Sequence, residues 1–487
     1  MSFTPINEIP KTLHDLVKIR DTLRATFQRG VTRSLRWRRT QLLQLACMLQ
    51  ENADAFMEAI NADLGRPKME TLLGEVGAII DRVLICAEQL EEWAKPVLLD
   101  VPEWQKSWNP TTHRAAKGTV LIISPWNYPL VLSLQPLYGA ISAGCCAAVK
   151  LSEFAPNYAE LLARLLPRYL DQSAYQVVLG AVPEITKLLE LQWDHIFYTG
   201  NGRVARIIAA AAARHLTPIT LELGGKSPVI IDDTCDLNLA AKRILHGKLT
   251  NAGQICVSPD YILVPRERQD ELIACFVQHL NTFFPEGALN SKHFGHIVSD
   301  LHFNRLMGML QRTKGEIIFG GRNNESLGIE PTIVKNVTED DALLEQEIFG
   351  PLIPVVPVNG VDDAIAFINA RDHPLVLYAF TEDSKTKDNI RENTTSGNLV
   401  FNDTYQQLSV NELPFGGVGE SGYGRQVMRY SYENFVYERG TIDVPKSAEP
   451  TLEGRYPPYT SDKVEFFSAP LYRKIPECSV NMTNGHV

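Results

Sequence analysis

The run Asn251-Ala252-Gly253-Gln254-Ile255-Cys256 sets a thiol after a glycine-containing turn and just before Ser258, Pro259 and an apolar stretch, Tyr261 to Val264. A thiolate is the strongest common side-chain nucleophile near neutral pH, and backbone N–H groups at a turn lower its pKa. The competing reading of Cys256 is a buried structural cysteine. Upstream, Leu221-Glu222-Leu223-Gly224-Gly225-Lys226 places a carboxylate between leucines, beside two glycines that permit close backbone approach. Desolvation there raises the carboxyl pKa toward that of a general base. Two alternatives stand beside it, a Glu222–Lys226 ion pair at a turn and a ribose ligand following a glycine turn. In Ser124-Pro125-Trp126-Asn127-Tyr128-Pro129, two prolines stiffen a loop whose Asn127 amide could donate to an oxyanion without reorganising. A rigid turn with a buried tryptophan is the plainer account of the same residues.

Two further segments have the chemistry of a nucleotide site. A short apolar run from His195 ends in Thr199-Gly200-Asn201-Gly202 and leads into an alanine-rich stretch, giving G-x-G-x-x-A closed by Ala205. Such a turn lets backbone approach a phosphate at a helix N-terminus. In Glu345-Gln346-Glu347-Ile348-Phe349-Gly350-Pro351 a carboxylate precedes an aromatic ring by two residues, suited to a ribose hydroxyl and a nicotinamide ring, or simply to a helix end. His293, His296 and His302 carry no accompanying cysteine, and no metal site is expected of them.

These residues need elements to hold them. The 487 residues, 45% hydrophobic and 21% charged, suit a multidomain globular α/β protein. A net charge of -10 gives no electrostatic reason to expect nucleic acid or an anionic membrane as partner. Helical periodicity marks Leu42 to Leu49 and Ile79 to Ala87, and the basic run Arg33 to Arg39 reads as a solvated helix face. The segment Pro96 to Thr112 reads as an extended excursion or hairpin. From Gly118 onward short apolar strands alternate with helices (Val120 to Ile123, Leu134 to Ala143, Ala147 to Val149, Tyr158 to Tyr169, Tyr175 to Val178 and so on), the pattern of a doubly wound parallel sheet. A second α/β region runs from Leu223 to about Phe415, with a strand at Val229 to Ile231 and a helix at Leu239 to Leu249. The tail after Lys446, rich in Pro and Tyr, reads as an extended arm.

Between Lys117 and Lys150 there is no charged residue, a length sufficient for a bilayer helix of about 20 residues. Pro125, Pro129, Pro136, Asn127 and Gln135 argue instead for a strand, a loop, a helix and a second strand, so no membrane span is expected. Eight cysteines without paired spacing, and an N-terminus broken by Glu8, Lys11 and Asp15, point to a reducing, cytoplasmic setting without a secretory leader.

In this order and spacing the motifs resemble the aldehyde dehydrogenase superfamily over nearly the whole chain. The resemblance rests on Trp126-Asn127, Glu222 to Lys226, Gly253 to Cys256 and Glu347 to Pro351; Leu413 to Gly419 and Arg455 to Tyr459 look like its class 3 and fatty-aldehyde branch. It implies a doubly wound NAD(P)-binding domain (1–95 and 116–222), an α/β catalytic domain (223–417), a small β oligomerisation element (96–115 and 418–446), and a C-terminal arm (447–487). It further implies Cys256 as nucleophile, Glu222 as water-activating base and Asn127 as oxyanion donor. Trp126, Lys150, Glu153, Gly200, Asn201, Gly202, Ala205, Leu223, Glu347 and Phe349 would contact the cofactor. NAD is the first choice, because Glu153 suits ribose hydroxyls and repels a 2′-phosphate, while Lys150 keeps NADP open. An aldehyde substrate, apolar aliphatic, aromatic or terpenoid, and a homodimer are expected. Asn201 and Ala205 depart from the usual Ser and Gly of the pyrophosphate turn, and His246 stands where class 3 relatives often carry Trp. The rival readings are a cofactor-free thiol esterase, a non-catalytic binding or lens-type protein, and a CoA-acylating enzyme; retention of Glu222, which supplies the base for hydrolysis, weighs against the last.

Overall fold

The uncharged segment folds as a buried strand, Thr119–Ile123, a loop, the helix Pro129–Ala143, and a second buried strand, Cys146–Lys150. Pro129 sits in the first turn of the helix, where a missing N–H costs nothing, and the helix ends at Gly144 in the left-handed region (φ 84°). The computed structural model describes residues 13–473. Glu8, Lys11, Cys478 and the end of the expected C-terminal arm, residues 474–487, lie outside the described residues.

Six strands form the first sheet, in spatial order Gly422–Tyr423, Ile219–Leu223, His195–Gly200, Thr119–Ile123, Cys146–Lys150 and Tyr175–Val178. All neighbours pair in parallel except Gly422–Tyr423, which runs antiparallel beside Ile219–Leu223. Chain order reverses at Thr119–Ile123, which has the next strand in sequence on one side and His195–Gly200 on the other. This is a topological switch point, and open α/β sheets bind ligands outside the carboxyl ends of the strands there. The Trp126-Asn127 loop and the Gly200–Gly202 turn leave the sheet at that place.

The second sheet has seven strands: Glu316–Phe319, Thr332–Lys335, Leu352–Val358, Tyr261–Pro265, Pro228–Ile231, Val376–Phe380 and Asn398–Phe401. It is parallel apart from the edge strand Glu316–Phe319. Its central strands Tyr261–Pro265, Pro228–Ile231 and Val376–Phe380 are buried throughout, as parallel strands covered on both faces must be. A three-stranded sheet joins Val97–Leu98, Thr111–Ala116 and Val436–Thr441.

The chain divides into two compact units, Met1–Ala94 with Ala115–Tyr437, and Lys95–Arg114 with Glu438–Val487. Both large sheets belong to the first. The Pro96 to Thr112 segment does carry a hairpin pair, Val97–Leu98 against Thr111 and Thr112, with a short helical turn, Glu103–Lys106, inside it. The tail differs from the extended arm read from its composition: it winds into short helical turns, Glu449–Leu452 and Ser461–Ser468 among them. The basic run is solvated except at Arg38, whose guanidinium turns inward to the carbonyls of Thr32 (2.7 Å) and Ser142 (3.2 Å). Among the described residues no helix is long and apolar enough to cross a membrane, and the seven described cysteines are all unpaired.

Candidate functional site

Cys256 is placed by an unusual turn. Asn251, Ala252 and Gly253 all take positive φ (51°, 51° and 77°), a conformation that asparagine tolerates and alanine resists. At Gly253 a side chain is excluded twice over, since a Cβ there would also stand 2.4 Å from the Gly350 carbonyl oxygen. The nucleophile turn and the Glu347-to-Pro351 motif therefore pack backbone against backbone. Gln254 locks the turn: its Nε2 donates to the carbonyls of Asn251 and His296 (both 3.0 Å) and its Oε1 accepts from the Val298 N–H (3.0 Å). Cys256 itself is part-exposed and packs against the core, whereas Cys86, Cys145 and Cys146 are buried. Burial pushes its thiol up to about 12, and the charges of Glu347 and Glu222 add to the rise.

Glu222 lies on Ile219–Leu223 opposite Thr199 and Gly422. It is buried, neither carboxyl oxygen has a hydrogen-bond partner, and burial holds the carboxyl well above the usual range, opposed only by the neighbouring Gln426 amide. The Glu222–Lys226 ion pair does not form. Lys226 instead pairs with Asp260 and donates to the Leu343 and Gln346 carbonyls (both 2.9 Å).

The Asn127 side chain reaches the nucleophile turn directly, its Nδ2 donating to the Gln254 carbonyl at 3.1 Å. A carboxamide carries two N–H donors, so a second remains for an oxyanion. Trp126 meets Phe349 edge-on, ring centres 5.4 Å apart, and the His302 ring at 5.2 Å. His302 also packs against Phe154, and among the described residues no group of His, Cys, Asp or Glu could hold a metal ion.

A cleft of about 460 Å³ runs past Asn201, Gly202, Leu223, Gly224 and Glu347. Four of the residues read from the sequence as cofactor contacts line it: Asn201, Gly202, Leu223 and Glu347. Ala205 is instead buried, letting the helix Gly202–Ala213 pack closely. Asn201 caps that helix, its Oδ1 accepting from the Val204 N–H at 3.0 Å, which a serine there would also do. Lys150 and Glu153 sit at the end of Cys146–Lys150, away from the cleft's lining, and pair at 3.4 Å with Glu153 exposed. Glu347 is the fixed point of the opposite wall. Its carbonyl and that of Ile348 accept from Arg305 (3.1 and 2.6 Å), while the Ile348 N–H donates to Asp260 (2.8 Å). Its carboxyl is raised to about 8 by burial and by Asp260, and Oε1 has no partner. A Cβ on Gly224 would stand 2.3 Å from a Glu347 carboxyl oxygen, which would have to turn aside to admit it. The unpartnered Oε1 of Glu347 and the helix N-terminus at Gly202 on the cleft's lining fit a dinucleotide, whose hydroxyls donate and whose phosphates accept.

Sequence reading missed the buried and half-buried residues that hold these loops. Arg66 donates to the Asn127 carbonyl (3.0 Å) and pairs with Glu75, and Glu70 accepts from the Asn251 N–H (2.9 Å). A lone Arg or Glu in a helical segment gives no signal of partners so far along the chain. Asp260 and Arg305 escaped notice likewise. His246 is exposed on the helix Leu237–Leu249, its ring 6.2 Å from that of Tyr405.

Comparison with known proteins agrees with this geometry. A sequence model described as "Aldehyde dehydrogenase family" matches residues 11–440. Aldehyde dehydrogenase family 3 member A2 of Rattus norvegicus is 42% identical over 451 residues, covering 91% of this chain and 92% of its own. The structure of the substrate-bound state of Staphylococcus aureus AldH superposes with a TM-score of 0.90 at 36% identity, covering 95% of this chain and all of that one. An NAD-dependent aldehyde dehydrogenase from Sinorhizobium meliloti gives 0.81 at 25% identity and 89% coverage of both. With the Asn127 loop and the Glu347 motif both packed on the Cys256 turn and a family match over most of its length, the chain belongs to the aldehyde dehydrogenase family.

Proposed function

We propose that this chain oxidises an aldehyde of apolar aliphatic, aromatic or terpenoid type to the carboxylic acid through a thioester on Cys256. The hydrogen bond from Asn127 Nδ2 to the carbonyl of Gln254, two residues before the thiol, carries the reading, because it ties an amide donor to the nucleophile's own turn. The Cys256 thiol gives up its proton to solvent, the sulfur adds as thiolate to the carbonyl carbon, and the oxygen that gains the negative charge is held by the free Asn127 N–H and the Cys256 backbone N–H. Bound NAD(P) supplies the acceptor for the hydride that leaves the tetrahedral carbon. Collapse gives a thioester. Glu222 in its carboxylate form, made strongly basic by burial, takes a proton from water; the resulting hydroxide attacks the acyl carbon and expels the thiolate with the acid.

Asn201, Gly202 and Leu223 would hold the pyrophosphate side and Glu347 and Phe349 the nicotinamide side, with Trp126 behind Phe349. Gly200 and Ala205 shape the turn, and Lys150 and Glu153 would meet the adenine ribose. NAD is the favoured cofactor because the Glu153 charge opposes a 2′-phosphate, with NADP accepted through Lys150. The test is aldehyde-dependent reduction of each dinucleotide across a panel of aldehydes; absence of any such reduction with both dinucleotides overturns the reading. The chain is further read as a cytoplasmic homodimer, supported by the unpaired cysteines among the described residues and by the exposed apolar residues Leu98, Trp104 and Ile442. Cell fractionation and sedimentation check the two parts.

A further inference from the structure

The oxyanion loop and the nucleophile turn come from distant parts of the sequence, and a third segment holds both. The helical stretch Lys68–Thr71 continues through a π turn, Leu72–Val76, into Gly77–Ala94. Single π turns inside helices recur at functional sites, where they re-aim side chains. Here the π turn carries Glu75, whose Oε2 accepts from the N–H groups of Leu130 and Val131 (2.8 and 2.9 Å), capping the helix that follows the Asn127 loop. Its other oxygen pairs with the fully buried Arg66, which also bonds Thr71 Oγ1 (3.3 Å) and the Asn127 carbonyl (3.0 Å) and lies over the Tyr128 ring, 4.4 Å from its centre. One turn before Glu75, Glu70 reaches the other loop and accepts from the backbone N–H of Asn251 at 2.9 Å. Asn251 closes the circuit. Its Nδ2 donates both to the Asn127 carbonyl (3.0 Å) and to the Gln254 carbonyl (3.2 Å), the same oxygen that receives the Asn127 amide.

We propose that Glu70, Asn251 and Arg66 are positioning residues that fix the Asn127 amide against the Cys256 turn, so that the oxyanion site stands ready before substrate arrives. None of them is read as touching substrate. They act by denying Asn127 its freedom: its backbone carbonyl takes two donors, and one of its two side-chain N–H groups is spent on the turn, which leaves the other aimed. The Glu70 bond fixes the first of the three left-handed residues, where a backbone without such a restraint relaxes. A displacement of about 1 Å at a site of this kind costs as much as roughly a hundredfold in rate.

The proposal rests on the proposed function, and the test separates the two. Glu70→Leu, Glu70→Gln and Asn251→Ala are compared with the native chain in oxidation of hexanal and in hydrolysis of p-nitrophenyl acetate, which needs the oxyanion site but no cofactor. Alkylation of Cys256 by iodoacetamide, which forms no oxyanion, and thermal melting are measured alongside. Glu70→Leu and Asn251→Ala are expected to lower kcat in both reactions by roughly tenfold or more, with KM and the alkylation rate changed by less than about threefold. Glu70→Gln, which keeps a carbonyl oxygen for the Asn251 N–H, is expected to restore most of the native kcat. An unchanged kcat in Glu70→Leu overturns the proposal, as does a loss in Glu70→Gln equal to that in Glu70→Leu. An alkylation rate that falls in step with kcat overturns it too, since that marks a collapsed turn rather than a misaimed amide. If the native chain cleaves the ester through Cys256 yet oxidises no aldehyde, the functional reading fails and the ester series alone decides the positioning role. If neither reaction needs Cys256, both fall.

Discussion

At the residue scale, the resting thiol is held protonated. Burial and the charges of Glu347 and Glu222 push Cys256 up to about 12, so its alkylation by iodoacetamide in the free protein is expected to accelerate with pH through the whole range in which the fold survives, without a plateau near neutrality. Cys256→Ala is expected to abolish aldehyde-dependent cofactor reduction, and Glu222→Gln to leave the first turnover and slow the steady state by about a hundredfold or more, seen as a burst in stopped flow. Glu347 gives a separate, sign-definite effect on stability. Its carboxyl is raised from an ordinary 4.5 to about 8, so between those values the folded chain binds a proton that the unfolded chain has released. Stability from this group is present below the lower value and is lost as pH rises toward the upper one. Glu347→Gln has no such proton, and its Tm is expected to decline less steeply than the native Tm over that window. Legibility at this scale followed chemistry. Cys256, Glu222 and Asn127 announced themselves because a thiol at a glycine turn, a carboxylate among leucines and an amide between prolines are costly arrangements without a use. Arg66 and Glu70 did not, because the bonds by which they reach the two loops go to partners 61 and 181 positions away.

At the scale of elements, the glycines of the motifs differ sharply in what they do. Gly253 combines φ of 77° with a Cβ position 2.4 Å from the Gly350 carbonyl, so Gly253→Ala is expected to displace the nucleophile turn and depress both Tm and turnover. Gly308, inside the helix Asp300–Arg312, would meet nothing within 4 Å, and Gly308→Ala is expected to raise stability by about 0.5–1 kcal/mol, measured by denaturant melting, with turnover unaltered. The strands and helices between Gly118 and Arg214 were readable because buried parallel strands are continuous apolar runs and the helices between them keep a 3.6-residue period. Where the sequence lacked either pattern, reading failed. Within the expected β element at 418–446, Arg429–Asn434 is helical and the long strand is only Val436–Thr441. The tail after Lys446 misled through its prolines, which here stand in first turns of short helices, at Pro450 and Pro470, where proline is at home.

At the scale of the whole molecule, every residue assigned to catalysis or to the cleft falls in the first compact unit, and the second unit supplies none of them. That separation makes oligomerisation and chemistry experimentally separable. The second unit exposes Leu98, Trp104, Ile442 and Val444, large apolar side chains that a soluble monomer rarely displays together. Burial of such side chains between two copies is worth about 25 cal/mol per Å² before the cost of association, enough for a stable dimer only if the patch is extensive. Sedimentation velocity is therefore expected to show a dimer for the native chain and a monomer for the double variant Leu98→Asp, Ile442→Asp. Because the cleft is built within one chain, the monomeric variant is expected to bind NAD with unchanged affinity, read from quenching of protein fluorescence. A native chain that sediments as a monomer removes the dimer from the functional reading while leaving the chemistry at Cys256 intact. Loss of NAD binding on dissociation would show instead that the cleft needs the neighbouring copy, contrary to its lining by residues of the first unit alone.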